Sequence, residues 1–295
     1  MVIPCYNAAS TVTRAILSVL RQSYRDYWIY AVDDGSADDT MEVLRRNDDR
    51  CCVSSQANGG PAAARNRAIR MSDSEFVAFL DADDEWLPNK LARQIALLKG
   101  DPSLGMICSM CIIKRGELEE TSGIGPEAVQ SGHLFRHLAR NCFVFTPTVV
   151  VRRRCLEEVG LFDETLPVSE DFNLWLRIAA RWKIALVPEV LAVVHKRDAS
   201  LSTTIPSEER LRAGVRALKN VELACGNLPP AEGRALRRAI AERIYFHASF
   251  LLFVGTRIAA RSEFLSVLRY QPMHLRAAAK FGLSFLPTRI APFAH

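Results

Sequence analysis

The chain has 295 residues, of which 49% are apolar and 24% are charged. This length and composition exclude a disordered protein and predict one sizeable domain with a large core, followed by an appendage. The formal net charge of +5 is uneven, because residues 206–295 contain 14 Lys and Arg against 6 Asp and Glu. The basic tail favours an anionic partner, such as a membrane surface or an anionic acceptor; an Arg-rich helical cap is the alternative.

The first hundred residues alternate between strand and helix patterns. Strands are predicted at Met1 to Ile3, Trp28 to Val32, Cys52 to Ser54 and Glu75 to Leu80, and helices at Val12 to Leu20, Asp38 to Arg46, Pro61 to Met71 and Pro88 to Leu98. Such alternation predicts a parallel sheet with helices on both faces, whose ligands bind outside the carboxyl ends of the strands. The polar residues that map to that edge are Tyr6, Asp33, Asp34 and the acids from Asp81 to Asp84.

The pattern is looser in the middle of the chain. Strands are predicted at Met106 to Ile113, Phe143 to Val151 and Val187 to Val194, and helices at Arg154 to Val159 and after Glu170. The stretch from Arg115 to Gly132 is polar and contains glycine, and it has no clear pattern.

Beyond about Thr204 the pattern is helical and rich in Ala, Leu and Arg, with a break at Leu228-Pro-Pro230. One amphipathic helix is predicted from the stripe Leu236, Ile240, Ile244, Tyr245, His247 and Leu251, and further apolar faces from Leu265, Leu268, Met273, Leu275 and Phe281. Packing in a core is the commonest role of such a stripe. Contact with a second copy or with lipid are the alternatives.

The sequence has no apolar stretch that approaches the ~20 residues needed to span a bilayer. Pro4 and Asn7 interrupt the first residues, which argues against a cleavable signal. The eight cysteines have no regular spacing, as expected for reduced thiols. We therefore predict a cytoplasmic protein, with peripheral contact at the inner face of the membrane as the alternative.

Three acids follow an apolar run in Phe79-Leu-Asp-Ala-Asp-Asp-Glu-Trp86. A strand that is apolar up to this point is expected to be buried, so Asp81, Asp83 and Asp84 emerge together at its carboxyl end. Carboxylates this close repel one another unless a cation lies between them, and hard oxygen ligands suit Mg²⁺ or Mn²⁺, which bind phosphate oxygens. A nucleotide-diphosphate site is therefore predicted; a solvated acidic turn that caps the next helix is the alternative.

Four further motifs accompany the acidic one. They are Met1-Val-Ile-Pro-Cys-Tyr-Asn7, Val32-Asp-Asp-Gly-Ser36, Asn58-Gly-Gly-Pro-Ala-Ala-Ala-Arg-Asn66 and Ser169-Glu-Asp-Phe-Asn-Leu-Trp-Leu-Arg177. Together the motifs resemble those of family 2 glycosyltransferases, the inverting type with a GT-A fold. The resemblance covers residues 1–204 and implies an α/β domain with a mixed sheet flanked by helices. Residues 1–100 would form its nucleotide-binding half and 101–204 its acceptor half, with 205–295 as a helical, basic C-terminal region.

The resemblance implies roles for the acidic motif and for the nucleotide site. Asp83 would be the direct ligand of Mn²⁺ or Mg²⁺, and Asp81 would bind the ribose or reach the metal through water. Asp84 would be a helix-capping acid at the same edge.

Asp33 matches the family residue that hydrogen-bonds the base, and Asp34 would share that task or brace the following turn. Pro4 and Tyr6 would pack against base and ribose. Arg65 would reach toward the base or the diphosphate; its rival role is an ion pair with one of the motif acids.

The catalytic base is implied by the downstream acidic pair. Asp171 matches the family's catalytic position, where a carboxylate takes the proton of the attacking hydroxyl. Glu170 is the alternative base or an orienting acid, and a helix N-cap is the structural alternative for Asp171. Trp86 and Trp175 could stack on a sugar, although packing in the core is the simpler role for both.

Two features depart from the family pattern. Family members often have an aromatic-Arg pair and a His before Ser-x-Ser, whereas here Ser200 and Ser202 follow the rearranged basic residues His195, Lys196 and Arg197. This loop is expected to close over the diphosphate with one of its cations, which the sequence does not assign. The first strand is also shorter than usual in the family, so we expect a truncated chain or a misassigned start.

The resemblance implies an inverting transferase that moves a sugar from a nucleotide-diphosphate donor, in particular a UDP-sugar, to a hydroxyl of a glycan or lipid-linked acceptor in cell-surface polysaccharide biosynthesis. A sugar-nucleotide nucleotidyltransferase is an alternative, but the Gly-rich basic loop that it needs after the first strand is absent. A catalytically silent binding scaffold is the non-enzyme alternative. We expect no nucleic-acid partner, and the oligomeric state stays open.

Overall fold

The computed structural model describes residues 1–46, 50–122, 131–132, 134–196 and 204–285, with backbone alone at 131–132. The chain divides into two compact units, residues 1–200 and 201–295.

The first unit begins with a three-stranded parallel sheet. Its strands are β1 (Val2–Cys5), β2 (Ile29–Asp33) and β3 (Cys51–Ser55), and the helices of this part are α1 (Val12–Leu20), α2 (Thr40–Arg45) and α3 (Gly60–Arg70). All five residues of β2 are buried, so its apolar residues lie in the core and its last residue, Asp33, is carried to the carboxyl edge. Parallel pairing places Cys5 opposite Asp33 at that edge.

A mixed sheet forms the rest of the unit. Its strands are β4 (Phe76–Ala78), β5 (Glu85–Trp86), β6 (Leu104–Arg115), β7 (Leu118–Ser122), β8 (Ser131–Gly132), β9 (Val150–Arg152) and β10 (Lys183–His195), with helices α4 (Lys90–Gly100), α5 (Phe135–Arg140), α6 (Arg153–Val159) and α7 (Glu170–Ala179). The strand order is β4-β9-β6-β10-β5, with β7 on β6 and β8 on β10. Only β6 and β10 pair in parallel among these described strands.

The acidic motif joins the two sheets. A parallel bridge pairs Val2 with Phe79, and the Leu80 amide donates to the Val2 carbonyl at 3.1 Å. Phe79 and Leu80 are fully buried, and Phe79 packs edge-on against Phe162 with ring centroids 5.4 Å apart. The chain therefore leaves the core at Asp81, beside the carboxyl ends of β1 and β2, as the sequence predicts.

In the middle of the chain one prediction is wrong in detail, and a stretch without a predicted element contains a strand. The strand predicted from Phe143 to Val151 is a 3-10 turn at Thr146–Thr148 followed by the short strand β9. Pro147 has no amide hydrogen for a strand ladder, and the Thr148 amide and hydroxyl both donate to the Phe145 carbonyl, which closes the turn. The polar stretch after Arg115 contains β7, an exposed strand that pairs with β6 through a turn at Gly116.

The second unit is helical where it is described. Its helices are α8 (Ser207–Ala224), α9 (Pro230–Phe253), α10 (Arg257–Tyr270) and α11 (Leu275–Leu283). The predicted stripe of α9, from Leu236 to Leu251, is buried and forms a core within this unit. The prediction of the further apolar faces is wrong, because it chose the wrong side of the helices. Leu265, Met273 and Leu275 are exposed, and the residues that α10 and α11 bury are Ala260, Phe264, Val267 and Ala277. No helix in the described part of the chain is both long and apolar enough to cross a membrane.

Candidate active site

Arg65 links two motifs that are far apart in the sequence. It lies on α3 and is 5% exposed. One terminal nitrogen of its guanidinium donates to Asp81 Oδ1 at 2.7 Å, and the other donates to Glu170 Oε1 at 2.7 Å. A planar guanidinium suits two such contacts at once. The D-x-D-D motif and the Ser-Glu-Asp motif therefore meet at one place, where Arg65 forms an ion pair with an acid of each.

The charges of this link perturb one another. The carboxylates of Asp81 and Glu170 raise the pKa of Arg65 above its ordinary value despite the opposing effect of burial. Burial, with the neighbouring charge of Asp171, raises the pKa of Glu170 to about 7, and the charge of Arg65 only partly offsets this. Because Glu170 is buried and accepts a hydrogen bond from Arg65, it is suited to hold the guanidinium in place.

Asp171 occupies the second residue of α7. Its Oδ2 accepts a hydrogen bond from the Thr146 hydroxyl at 3.1 Å, and its Oδ1 accepts from the Phe172 amide at 2.6 Å. Unlike Glu170, which is 7% exposed, Asp171 is only half-buried. Each carboxylate oxygen can accept a further hydrogen bond, so Asp171 is oriented and can still take a proton from a bound hydroxyl.

Strained backbone flanks the site on two sides. In the described part of the chain the non-glycine residues with positive φ are Asn7, at 46°, and Ser169, at 67°. Ser169 immediately precedes α7, and the Asn7 amide donates to the Ser36 hydroxyl at 2.9 Å. Such backbone is costly and clusters at functional sites, and both residues belong to motifs identified in the sequence.

Asp33 is a buried carboxylate with unused hydrogen-bonding capacity. It is 6% exposed, and its Oδ1 accepts no hydrogen bond from any residue that the structure describes. Buried acceptors are nearly always satisfied, so this one calls for a donor supplied by a ligand. Tyr6, 54% exposed, and the half-buried Pro4 lie at the end of β1 next to it.

Asp34 braces the turn that follows β2. Its Oδ1 accepts from Gln56 Nε2 at 2.8 Å and from the Gly59 amide at 2.9 Å, and its Oδ2 accepts from the Gly60 amide at 2.8 Å. The two glycine bonds tie the end of β2 to the beginning of α3, which carries Arg65, and the Gln56 bond ties it to the segment after β3. They favour the bracing role over contact with a base.

Asp81 and Asp83, for which a metal role is predicted, are both half-buried. The described residues contain no group of three or more His, Cys, Asp or Glu arranged to hold a metal by themselves. Mg²⁺ and Mn²⁺ bound with phosphates need only one or two carboxylates, because phosphate and water complete the coordination. The pair of carboxylates therefore fits a metal that arrives with the nucleotide.

The helix-capping role expected for Asp84 is wrong. The N-cap of α4 is Asn89, and Asp84 is 4% exposed with its Oδ1 accepting from the His195 amide at 2.8 Å. Burial, followed by the charges of Asp81 and Asp83, raises the pKa of Asp84 well above its ordinary value. Asp84 therefore anchors the acidic turn to the end of β10.

Several contacts around the acidic turn could not be predicted from the sequence. His195 Nε2 lies 2.7 Å from Glu85 Oε1, and Arg14 donates to the Asp83 carbonyl at 2.5 Å. Thr146 lies in the unpredicted 3-10 turn, so its bond to Asp171 could not be foreseen. Arg197, Ser200 and Ser202 of the expected closing loop lie outside the described residues.

Both candidate tryptophans pack in the core, as the simpler prediction has it. Trp175 is fully buried against Phe79, with ring centroids 5.6 Å apart. Trp86 is 3% exposed and its indole donates to the Pro147 carbonyl at 2.8 Å.

Several curated relatives resemble the chain. It is 32% identical over 180 residues to the Escherichia coli UDP-Glc:alpha-D-GlcNAc-diphosphoundecaprenol beta-1,3-glucosyltransferase WfgD, covering 60% of this chain and 68% of that protein. It is 31% identical to the succinoglycan biosynthesis protein ExoU of Rhizobium meliloti over 81% of this chain and 73% of that one. An uncharacterized glycosyltransferase of Rickettsia bellii is 29% identical over 70% of this chain, which spans only 30% of that relative's length.

Solved structures show the same fold. Staphylococcus aureus TarS 1–349 in complex with UDP-GlcNAc matches with a TM-score of 0.67 and 21% identity, covering 98% of this chain and 81% of that one. The mannosyltransferase PcManGT from Pyrobaculum calidifontis, in complex with GDP-Man and Mn²⁺, matches with a TM-score of 0.56 and 19% identity over 97% and 87% of the two chains. The predicted GT-A fold is thereby confirmed.

The family model described as Glycosyl transferase family 2 matches residues 1–160, which contain β1 to β9 and the acidic motif. The match covers more than half of the chain, and the relatives and the fold agree with it. The chain belongs to family 2 of the glycosyltransferases.

Proposed function

We propose that this protein is an inverting glycosyltransferase that moves a sugar from a UDP-sugar to an acceptor hydroxyl in the synthesis of a cell-surface glycan. The observation that carries the proposal is the Arg65 link, because it joins the predicted donor motif at Asp81 to the predicted base motif at Glu170 and Asp171. Family membership supports the reaction class, and the remaining assignments follow from the chemistry of the residues at this place.

Asp33 is proposed to bind the base of the nucleotide. Its buried, unpartnered Oδ1 matches the imide N–H of uracil, which would satisfy the missing hydrogen bond. The exposed ring of Tyr6 beside it offers a surface for base or ribose. The fold neighbour TarS in complex with UDP-GlcNAc supports a uridine nucleotide.

Asp83, with Asp81 in reach of the ribose or the ion, is proposed to hold Mn²⁺ or Mg²⁺. Such an ion, when bound, supplies Lewis-acid stabilisation of the leaving diphosphate. The fold neighbour PcManGT in complex with GDP-Man and Mn²⁺ supports this proposal. Asp81 accepts a hydrogen bond from Arg65, and we assign it the ribose contact or a water-mediated contact with the ion.

Asp171 is proposed as the general base. The Thr146 hydroxyl orients its carboxylate, and its partial exposure gives an acceptor hydroxyl access to it. Glu170, the alternative, is buried and accepts from Arg65, so an acceptor hydroxyl has less access to it than to Asp171. Backside attack assisted by one base inverts the anomeric carbon.

The acceptor is proposed to be a growing glycan or a lipid-linked sugar. The relative WfgD is named for an acceptor on diphosphoundecaprenol, and ExoU for succinoglycan biosynthesis. A lipid-linked acceptor requires the enzyme to meet a membrane surface. We therefore propose a cytoplasmic protein whose basic C-terminal helices contact the inner face of the membrane.

Turnover of nucleotide sugars by the Asp171→Asn variant tests this function. General-base assistance contributes about 10²–10⁴-fold, so UDP release should fall by that factor with an unchanged melting temperature. Asp73→Asn is the matched control, because it makes the same change at an exposed turn of the same unit. Undiminished turnover by Asp171→Asn would refute the mechanism. A parent protein that binds donors but never releases UDP would instead be a binding scaffold.

A further inference from the structure

The second unit exposes large apolar side chains at one end of its α9–α10 hairpin. Phe253, Val254, Ile258 and Phe285 are 77%, 48%, 82% and 57% exposed. We call these four residues the apolar tip. Single exposed apolar residues are ordinary, but four large ones at one end of a helical unit mark an interaction surface.

The geometry of the turn brings the four residues together. α9 ends at Phe253 and α10 begins at Arg257, with Gly255 at a φ of +88° making the reversal between them. The end of α11 lies beside the first turns of α10, because Arg261 donates to the Ser284 carbonyl at 2.8 Å. The Arg261 guanidinium also lies 4.0 Å from the ring centroid of Phe285.

The charge around the apolar tip is positive. From residue 244 to residue 264, on either side of the turn, the sequence has two arginines, Arg257 and Arg261, and a single acid, Glu263. Glu263 lies 3.6 Å from the buried His247, on the side of α10 that faces the core of the unit. Exposed apolar side chains next to arginines are the combination that anionic lipid surfaces bind.

The opposite end of α10 provides a comparison. Met273 and Leu275 are also exposed there, at 86% and 80%. The neighbouring Arg276, however, forms an ion pair with Glu242 at 3.1 Å, which neutralises it. The 14 residues of α10 separate the two ends by about 20 Å, so they form two distinct apolar patches.

A lipid surface also fits better than a second copy of the chain. Two copies meeting through the same end would bring their Arg257 and Arg261 side chains face to face, and like charges oppose such an isologous contact. An anionic surface faces these arginines with the opposite sign.

We infer that the apolar tip inserts into the interface of an anionic membrane, with the flanking arginines on lipid phosphates. This inference deepens the proposed membrane contact and rests on it, since it names the residues that would make that contact. The insertion is shallow, because the tip consists of helix ends and a turn and the helices behind it carry charged faces.

Co-sedimentation of the full chain with vesicles tests the inference. The parent is expected to bind vesicles containing phosphatidylglycerol and to bind neutral phosphatidylcholine vesicles much more weakly. The Phe253→Ser/Ile258→Ser variant should lose at least about tenfold in binding, since two large apolar side chains leave the interface. Met273→Ser/Leu275→Ser is the matched control, with the same number of exposed apolar residues removed, and should bind like the parent.

Three results would overturn the inference. They are a parent that ignores phosphatidylglycerol vesicles, a control variant that loses as much binding as the tip variant, and a parent that is a dimer in light scattering while the tip variant is a monomer. UDP release measured without vesicles separates this inference from the proposed function, because the tip variant should retain it. Should the double variant fold poorly by circular dichroism, Phe253→Ser alone should still show a reduced affinity.

Discussion

The two units of this protein use charged and apolar residues in opposite ways. In the first unit, charged side chains are buried and bonded to one another, as Arg65 is to Asp81 and Glu170. In the second unit, large apolar side chains such as Phe253 and Ile258 are exposed. The buried charges of the first unit are satisfied by one another, whereas exposed large apolar side chains such as those of the second unit mark an interaction surface.

The largest effect on folding is expected from the buried cation. Arg65→Met removes the charge that Glu170 and Asp81 share and leaves Glu170 buried without a cation, so the free energy of unfolding should fall by about 3 kcal/mol. Arg70→Met is the matched control on the same helix, because Arg70 pairs with Glu164 at the surface and should contribute less than about 1 kcal/mol. Urea unfolding measures both. Equal effects would mean that the Arg65 link is not a structural element.

A buried lysine, Lys90, gives a smaller effect that depends on pH. Lys90 is fully buried, its amine donates to Gln94 at 2.7 Å, and burial lowers its pKa well below the ordinary value. Between that lowered pKa and 10.5 the unfolded chain binds more protons at Lys90 than the folded one, so stability contributed by this group rises with pH.

Lys90→Met should remove this dependence. The difference in unfolding free energy, parent minus variant, should rise with pH in the alkaline range, by at most about 1.4 kcal/mol per pH unit for one proton. Urea unfolding at several pH values measures it. A difference that stays constant over this range would show that Lys90 is charged in the fold.

The smallest effect on folding is expected at the apolar tip. Phe253→Ser removes a large apolar side chain, yet its exposure of 77% means that little buried area is lost. The free energy of unfolding should change by less than about 0.5 kcal/mol. A loss of several kcal/mol in the same urea experiment would show that Phe253 belongs to a core and would remove the contrast between the two units.

The sequence predicts the parts of the first unit that depend on local pattern. Asp33 and Asp81 each lie at the carboxyl end of a different buried strand. The alternation of strands and helices places both ends at one edge, so their common location follows from the sequence. The partners of Arg65 do not follow, because Glu170 is 105 residues away and ion pairs leave no periodic signal. Lys90 was equally unforeseen, since a lysine in the first turn of a helix is ordinarily exposed.

The errors also have physical causes. The segment predicted as a strand from Phe143 forms a 3-10 turn because Pro147 lacks an amide hydrogen and the Thr148 hydroxyl bonds to the backbone. Strand propensity alone does not reveal such bonds. In the second unit, alanines fill much of the core of α10 and α11, so the large apolar residues were assigned to the wrong face. Small residues allow close helix packing and give a weak hydrophobic signal.

We propose that acids distant in sequence surround one nucleotide diphosphate, and calorimetric titration with UDP and Mn²⁺ measures their contribution. We expect Asp33→Ala and Asp83→Ala each to weaken UDP binding at least about tenfold, since each removes a charge-assisted contact. Asp171→Asn and Asp73→Asn should bind UDP like the parent. Parent-like affinity in both Asp33→Ala and Asp83→Ala, with the fold intact by circular dichroism, would contradict the account.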